Sequence, residues 1–272
     1  GSMFDKKNVN RLFGFSSVAL GADAKMWKIQ HNVLHHTYTN VENGDEDIEV
    51  RYLLRFSPNQ PRYWYHKYQH IYAVFFYAVS TFYWATGKDF LKLAKYKEKG
   101  FLKTNKEYAG RLSKIIFGKI LYFSVFLLLP MLLVNVPIWL TFLMFLSMHV
   151  VAGVALSITF QLAHVVPSSE FVIAEGEEIK QNWSVHQLLT TCNFAPKSKI
   201  VGWFTGGLNF QIEHHLFPNI CHIHYPKLSK IVQETAAEFN IPYHMENTFF
   251  AAVRSHFKML RDLGRIDPVP AR

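Results

Sequence analysis

The longest apolar stretch of the chain runs for 50 positions between Lys119 and Glu170 without a single Asp, Glu, Lys or Arg. A bilayer needs roughly 20 apolar residues for each helical crossing, so this stretch is long enough for two crossings. Residues 115–134 would form a helix of about 30 Å and residues 137–166 a helix of about 45 Å, with a tight turn around Asn135 between them. The pattern therefore predicts a transmembrane hairpin.

A second apolar segment, residues 71–86, is uncharged, but it has only 16 residues and many of them are aromatic. Short aromatic segments favour the membrane interface, so we expect this one to be interfacial or re-entrant. Ten Lys and Arg residues follow from Lys88 to Lys119, which is typical of a cytoplasmic flank. Because the neighbouring sequence already requires lipid, we interpret this basic stretch as membrane-adjacent and not as a nucleic-acid site.

After Pro167 the chain has the spacing of short helices outside the bilayer, at residues 183–194, 205–217, 225–239 and 248–263. Thr248 is expected to cap the last of these helices, and Gly264 to end it. The predicted fold class is all-α, an integral membrane helical protein in which a transmembrane hairpin carries a cytosolic helical cap.

Composition adds one feature to this picture, which is the histidines. The 272 residues carry a formal charge of +9 and two cysteines, too few for a disulfide framework or a four-thiolate metal site. There are fourteen histidines, and five of them fall in two short motifs, His31-x-x-x-His35-His36 and Gln211-Ile-Glu-His214-His215. On an α-helix, the first two histidines of H-x-x-x-H-H share one face, and the third lies about 100° around.

Seven histidines are predicted to be metal ligands, and Gln211 is predicted to bind at the same centre. The predicted ligands are His31, His35, His36, His164, His186, His214 and His215. His164 is included because an ionisable group where an apolar helix leaves the bilayer is a functional candidate, and His186 is either a ligand or a partner that orients one. Six or seven imidazoles exceed the needs of one zinc ion and favour two redox metals such as iron.

The remaining histidines and an acidic turn are interpreted as non-ligating. His149 lies within the apolar helix and is expected to be a packed residue or to line a tunnel. His222 and His224 are expected to form an outer shell around the metal ligands. Four others are expected at the interface or the surface: His66, His70, His244 and His256. The acidic turn around Asp45 does not have the spacing of a calcium loop, so it is predicted to be solvated.

The two histidine motifs can serve one site only if an even number of membrane crossings separates them. The hairpin supplies two crossings, so segment 71–86 cannot supply a third. The basic stretch then lies on the same side as the histidines, which places the predicted site on the cytoplasmic face.

The sequence resembles the membrane fatty acid desaturases, in particular the front-end and linoleoyl-CoA-type branch. The resemblance rests on HNVLHHTYTN at His31–Asn40 and GGLNFQIEHHLFPNICHIHYP at Gly206–Pro226, with support from NWSVHQLLTTCNF at Asn182–Phe194 and QLAH at Gln161–His164. It covers nearly the whole chain, and Gln211 in place of a histidine is specific to that branch. Family members carry an earlier H-D-x-x-H box after a first transmembrane pair, so we expect two ligands and two helices to be missing here.

The resemblance implies two iron ions, O2 as co-substrate and a cis double bond introduced into an acyl chain on CoA or a lipid. It also implies an external electron donor such as cytochrome b5 or ferredoxin, since no G-x-G-x-x-G, haem motif or C-x-x-C is visible. The expected location is the bacterial inner membrane or the endoplasmic reticulum. Two alternatives stay open: a related membrane di-iron hydroxylase or ketolase, and a metal transporter with ligands along a path through the bilayer.

Overall fold

The computed structural model describes residues 6–50, 52–173 and 181–268, and nearly all regular structure in these ranges is helical. The α-helices are α1 Lys7–Phe15, α2 Ala24–Trp27, α3 Gln69–Tyr83, α4 Asp89–Glu98, α5 Asn105–Phe123, α6 Leu129–Leu133, α7 Ile138–His164, α8 Trp183–Thr190, α9 Lys199–Phe204, α10 Gln211–Leu216, α11 Tyr225–Glu238 and α12 Phe249–Leu263. The predicted all-α class is confirmed.

Shorter elements complete the described backbone. Segments with π-helical geometry span Lys28–His35, Trp84–Lys88 and Ser124–Leu128, and 3₁₀ segments span Ser16–Leu20, Trp64–Tyr68 and His222–His224. Two strands of two residues each, β1 Asn193–Phe194 and β2 Met245–Glu246, pair in parallel.

Two helices are long and apolar enough to cross a membrane, Asn105–Leu133 and Ile138–His164. The first is continuous through the π segment and starts ten residues before the predicted 115. Thr104 caps it by accepting a hydrogen bond from Glu107 N, and its first turns are polar, which is why the apolar pattern locates only its later part. The predicted segment 71–86 is helical as well, lying in α3 and the π turn after it; its interfacial role stays a prediction.

The chain divides into two compact units, and the second unit comprises Ser2–Ile29 and Phe75–Leu156. Its two long helices pack as a hairpin around a buried cluster that contains Tyr122 and Phe145. The buried Lys119 ammonium is fully satisfied, because Nζ donates to Asp89 Oδ2 at 2.6 Å and to two backbone carbonyls. A charge inside an apolar segment is tolerated only when it is paired in this way.

The first unit comprises Gln30–Val74 and Ser157–Arg272. The fully buried Arg55 links the loop before the Trp64–Tyr68 turn to the C-terminal region, since its guanidinium donates to the carbonyls of Leu263 and Ile266. Helix α12 begins and ends as predicted: Thr248 Oγ1 accepts from Ala251 N at 3.1 Å, and Gly264 is the C-cap. This unit holds every predicted ligand.

Candidate metal centre

The first histidine motif lies on π-helical backbone, not on a regular α-helix. In the segment Lys28–His35 the hydrogen bonds run from residue i+5 to residue i, and His36 N donates to His31 O at 3.0 Å. This wider turn brings His36 Nε2 to 3.3 Å from His31 Nε2. The rings of His31 and His35 also stack, at 5.3 Å between centroids, in agreement with the prediction that they share one face. The ring nitrogens of the three histidines nevertheless divide between two clusters.

The second motif also divides its histidines between two clusters. Helix α10 begins at Gln211 and carries His214 and His215 in adjacent positions, so their side chains point about 100° apart. The ring planes of these two residues stand at 89° to one another. Each motif therefore contributes to both clusters, which we name the first triad (His31, His36, His214) and the second triad (His35, His164, His215).

In the first triad, three ring nitrogens face one another. His36 Nε2 lies 3.3 Å from His31 Nε2, which lies 3.4 Å from His214 Nε2. Imidazole nitrogens about 2.0–2.1 Å from one cation stand roughly 3 Å apart, so these separations match a shared metal ion. Without a cation or a proton between them, such lone pairs repel one another, and the arrangement therefore fits metal binding.

The second triad adds a residue from the end of the long apolar helix, His164. The candidate ligand atoms of this triad lie within 4.8 Å of one another, and all three residues are buried. Nε2 of His164 and Nε2 of His215 have no hydrogen-bond partner among the described residues. The triads are adjacent, because the rings of His36 and His215 stack at 4.4 Å between centroids. Two neighbouring metal ions fit the six imidazoles.

In the second triad, the Nδ1 atom of each ring lies next to an oxygen of a residue outside the triad. Asp45 Oδ2 lies 3.0 Å from His35 Nδ1, Gln187 Oε1 lies 2.7 Å from His215 Nδ1, and Thr190 O lies 3.4 Å from His164 Nδ1. An acceptor at Nδ1 keeps the proton there and leaves Nε2 as the lone-pair donor, the arrangement in which imidazoles bind metals.

The backbone around His164 is fixed by an unusual asparagine. Asn40 adopts a positive φ of 55°, a conformation that asparagine tolerates better than most residues. Its Nδ2 donates to His164 O at 2.9 Å, and its backbone N donates to Asp45 Oδ2 at 2.9 Å. One residue thus connects the end of α7 to the carboxylate that orients His35.

Burial sets the charge of the first triad and part of the second. Desolvation, reinforced by the neighbouring imidazoles, lowers the pKa of His36 to about 2 and that of His214 to about 4, and it holds the pKa values of His31 and His215 well below the ordinary range. Neutral imidazoles with available lone pairs result.

His35 is the exception. Burial opposes its charged form, but the carboxylates of Asp45 and Asp47 outweigh that effect and raise the pKa to about 9. The second triad therefore contains a ligand candidate in direct contact with a carboxylate, and a cation at Nε2 would be favoured by the same negative charge.

Two predicted residues lie outside both triads. His186 is fully buried on α8 beside the backbone of Thr39, without a well-formed hydrogen bond at either ring nitrogen within the described ranges. Gln211 is also buried, and its Nε2 has no partner in the part of the chain that the structure describes. The structure therefore brings six of the seven predicted histidines into triads and leaves the roles of His186 and Gln211 as predictions.

The prediction that the acidic turn is solvated is wrong. Asp45 is fully buried beside His35, and Glu46 is only 7% exposed. His222 and His224, predicted as an outer shell, are exposed instead. The sequence feature that could have indicated the role of Asp45 is its position in a short loop ten residues after His35. For Gln187, the corresponding feature is its position next to His186.

Three other histidines are packed side chains away from the triads. His149 contacts Tyr122 OH through Nε2 at 3.0 Å, as expected for a packed residue. The surface positions predicted for His66 and His256 are wrong, since both are fully buried. His256 Nδ1 bonds to Val165 O at 2.8 Å, and His66 Nδ1 accepts from Tyr63 N at 3.2 Å. The rings of His66 and His256 each satisfy a backbone group.

The fold and the site define a helical membrane protein with a buried, histidine-rich site of the kind that holds metal ions. A family model described as fatty acid desaturase matches residues 1–247. The chain belongs to the fatty acid desaturase family.

Among its relatives, the chain is 35% identical over 255 residues to the sn-1 linoleoyl-lipid 6-desaturase of Arthrospira platensis, covering 94% of this chain and 69% of the relative. It is 38% identical over 267 residues to the acyl-lipid (8-3)-desaturase of Physcomitrium patens, covering 97% of this chain and 55% of the relative. The second of these relatives is thus matched over only about half of its length. No solved structure matches the chain.

Proposed function

We propose that this chain forms the metal-binding part of an O2-dependent desaturase that introduces a cis double bond into a fatty acyl chain. The observation that carries the proposal is the pair of adjacent triads, in which five of the six histidines are buried and the candidate ligand atoms of each triad lie within 4.8 Å of one another. Six imidazoles in two groups suit two redox metals better than one catalytic zinc ion, which takes three ligands and a water.

Iron is the proposed metal at both triads. His31, His36 and His214 would hold one ion, and His35, His164 and His215 the other, with His186 and Gln211 as further candidates. When bound, the two iron ions would supply the activation of O2 that is needed to remove hydrogen from an unactivated methylene group.

The residues of the chain prepare the site in three ways. Asp45 and Gln187 hold protons at Nδ1 of His35 and His215, so that Nε2 is the nitrogen that would bind; on His35, metal binding would displace the second proton from Nε2. Burial keeps four of the imidazoles neutral, which lets them bind a cation without first losing a proton. Burial also excludes water, which limits side reactions of an oxidising site.

The proposed substrate is an acyl-lipid, with an acyl-CoA as the second possibility. The relatives named above carry linoleoyl-lipid and acyl-lipid in their descriptions, and an acyl chain held in a bilayer would reach a protein with two apolar spans directly. Two electrons per turnover would come from a separate donor such as cytochrome b5 or ferredoxin. We place the site on the cytoplasmic face, where the basic stretch Lys88–Lys119 is expected.

Product analysis tests this proposal. Cells that make the protein are supplied with a deuterated fatty acid, and their lipids are analysed by mass spectrometry against cells that make His36→Ala. The expected product has lost two hydrogens and gained a double bond. A product that has gained oxygen would identify a hydroxylase or ketolase instead, and metal flux into protein-containing liposomes without a lipid product would identify a transporter. His224→Ala, an exposed histidine outside both triads, is the matched control.

A further inference from the structure

Helix α9 carries an exposed apolar face outside the two candidate spans. Ile200, Trp203 and Phe204 are 81%, 83% and 68% exposed, and the spacing i, i+3, i+4 places them on one side of the helix. Phe250, at the start of α12, is 83% exposed. Scattered apolar residues on a surface need no explanation, but a group of three on one turn, including a tryptophan, marks an interaction surface.

The inner side of the same helix packs against the end of a candidate membrane span. Val201 of α9 and Phe249 of α12 contact a buried cluster that includes Leu162, and Ile158 packs against it too. Leu162 and Ile158 belong to the last two turns of α7, which ends at His164. The helix that carries the exposed face is therefore packed, through its inner side, at the end of this apolar helix.

The charged side chains in the sequence segment that contains α9 have one sign. Lys197 and Lys199 are exposed at the start of α9, and no acidic residue occurs from Asn193 to Ile212. The acidic residue nearest to Phe250 in sequence is Glu246, which is partly buried in strand β2. Tryptophan beside lysine is typical of the border between acyl chains and head groups, and lysine is attracted to anionic lipid.

We propose that α9 and the start of α12 form a membrane-interface anchor, in which Ile200, Trp203, Phe204 and Phe250 insert at the head-group level of an anionic bilayer. The anchor fixes the second triad to the lipid surface, because the cluster behind it contains Leu162, two residues before His164. The proposal rests on the membrane location of the chain and not on its catalytic activity.

Site-directed labelling tests the anchor in the full chain. Cys221 is exposed and is replaced by serine, whereas Cys192 is buried and is kept. A fluorescent label is attached through Phe204→Cys, Phe250→Cys or Phe239→Cys, and the protein is placed in nanodiscs of phosphatidylcholine and phosphatidylglycerol. Phe239 is the matched control, since it is 69% exposed but lies between the exposed polar residues Glu238 and Asn240.

A lipid with a nitroxide near its head group should quench the labels at 204 and 250 several-fold more than the label at 239, and aqueous iodide should do the reverse. Iodide quenching at 204 and 250 equal to that at 239 would overturn the proposal. Labels shielded from both quenchers would overturn it in favour of a second protein copy. A label at Trp139→Cys, in the second candidate span, reports insertion separately, and its failure to be quenched by lipid would overturn the membrane location as a whole.

Discussion

Each triad offers three imidazoles to a metal, but the protein holds the rings of the two triads in different ways. In the second triad, each ring has an acceptor at Nδ1: Asp45, Gln187 or Thr190 O. In the first triad, Nδ1 of His36 is buried without a hydrogen-bond partner among the described residues, and His214 is partly exposed. The three rings of the second triad are therefore held from behind by acceptors, whereas the His36 ring of the first triad lacks such an acceptor among the described residues.

This difference predicts that the two triads bind metal with different affinities. Pre-oriented ligands lose less conformational entropy when they bind, so a triad with fixed rings should hold its metal more tightly. The carboxylate behind His35 adds an electrostatic contribution that the first triad does not receive at so short a distance. We expect the second triad to fill first and to release its metal last.

The largest expected effect is the loss of one metal and of all product when one ligand is removed. His35→Ala should empty the second triad, and His36→Ala the first, so that each variant binds about one ion fewer than the parent chain. Iron content by elemental analysis and double-bond formation by mass spectrometry measure the two effects. A His35→Ala protein that keeps full iron content and product would refute the assignment of the second triad.

The sequence was sufficient to predict the class and six of the histidines that meet in the two triads, because the patterns that indicate them are local. The 50-residue uncharged stretch and the two histidine motifs are contiguous in sequence, so their meaning can be seen without tertiary structure. The long helices and six triad histidines follow from them. The motif could not specify which histidines share a triad. That depends on whether the backbone over Lys28–His35 is α-helical or π-helical, and this choice depends on the tertiary contacts of the folded chain.

The residues that hydrogen-bond to the triad histidines could not be predicted from the sequence, because only tertiary structure brings them together. Gln187 precedes His215 by 28 residues, and Thr39 lies 148 residues before Gln187, yet these side chains meet inside one network. Neither residue type indicates a metal site on its own. Acidic residues near a glycine usually lie in solvent, so the sequence of the turn does not indicate that the Asp45 carboxylate is buried.

Asp45→Asn should weaken metal binding at the second triad about 10–100-fold while the first triad changes little. The amide keeps the shape of the carboxylate but removes the negative charge beside His35 and allows the wrong tautomer. Competition with a graded series of chelators, monitored by elemental analysis, resolves the two affinities.

The matched control for this experiment is Glu238→Gln, which makes the same chemical change at an exposed position on α11. Equal weakening of both sites by Asp45→Asn would show that the triads are not independently supported, and the contrast between them would then be lost.

Glu213→Leu should weaken both triads together, by a smaller factor. Glu213 is fully buried, and it accepts from Asn193 Nδ2 and Tyr243 OH, both at 2.8 Å. Because the residue sits on α10 beside His214 and His215, loosening this helix displaces one ligand of each triad. Leaving the partners unsatisfied should cost about 1–3 kcal/mol in the free energy of unfolding, measured by denaturant in detergent. Glu234→Leu, an exposed site on α11, should be near neutral, and selective loss from one triad would contradict this account.

The smallest expected effect belongs to Thr39→Val. Thr39 Oγ1 is buried 2.7 Å from His35 O and 2.9 Å from Gln187 Oε1, so it can donate to one of them at a time. Valine has nearly the same shape, and the removal of one hydroxyl should cost about 1 kcal/mol of stability. Gln187 still accepts from His215, so the metal affinity of the second triad should fall less than in Asp45→Asn. Thr39→Ser retains the hydroxyl and should behave as the parent chain does; if Thr39→Val instead empties the first triad, the support we assign to the second triad extends to both.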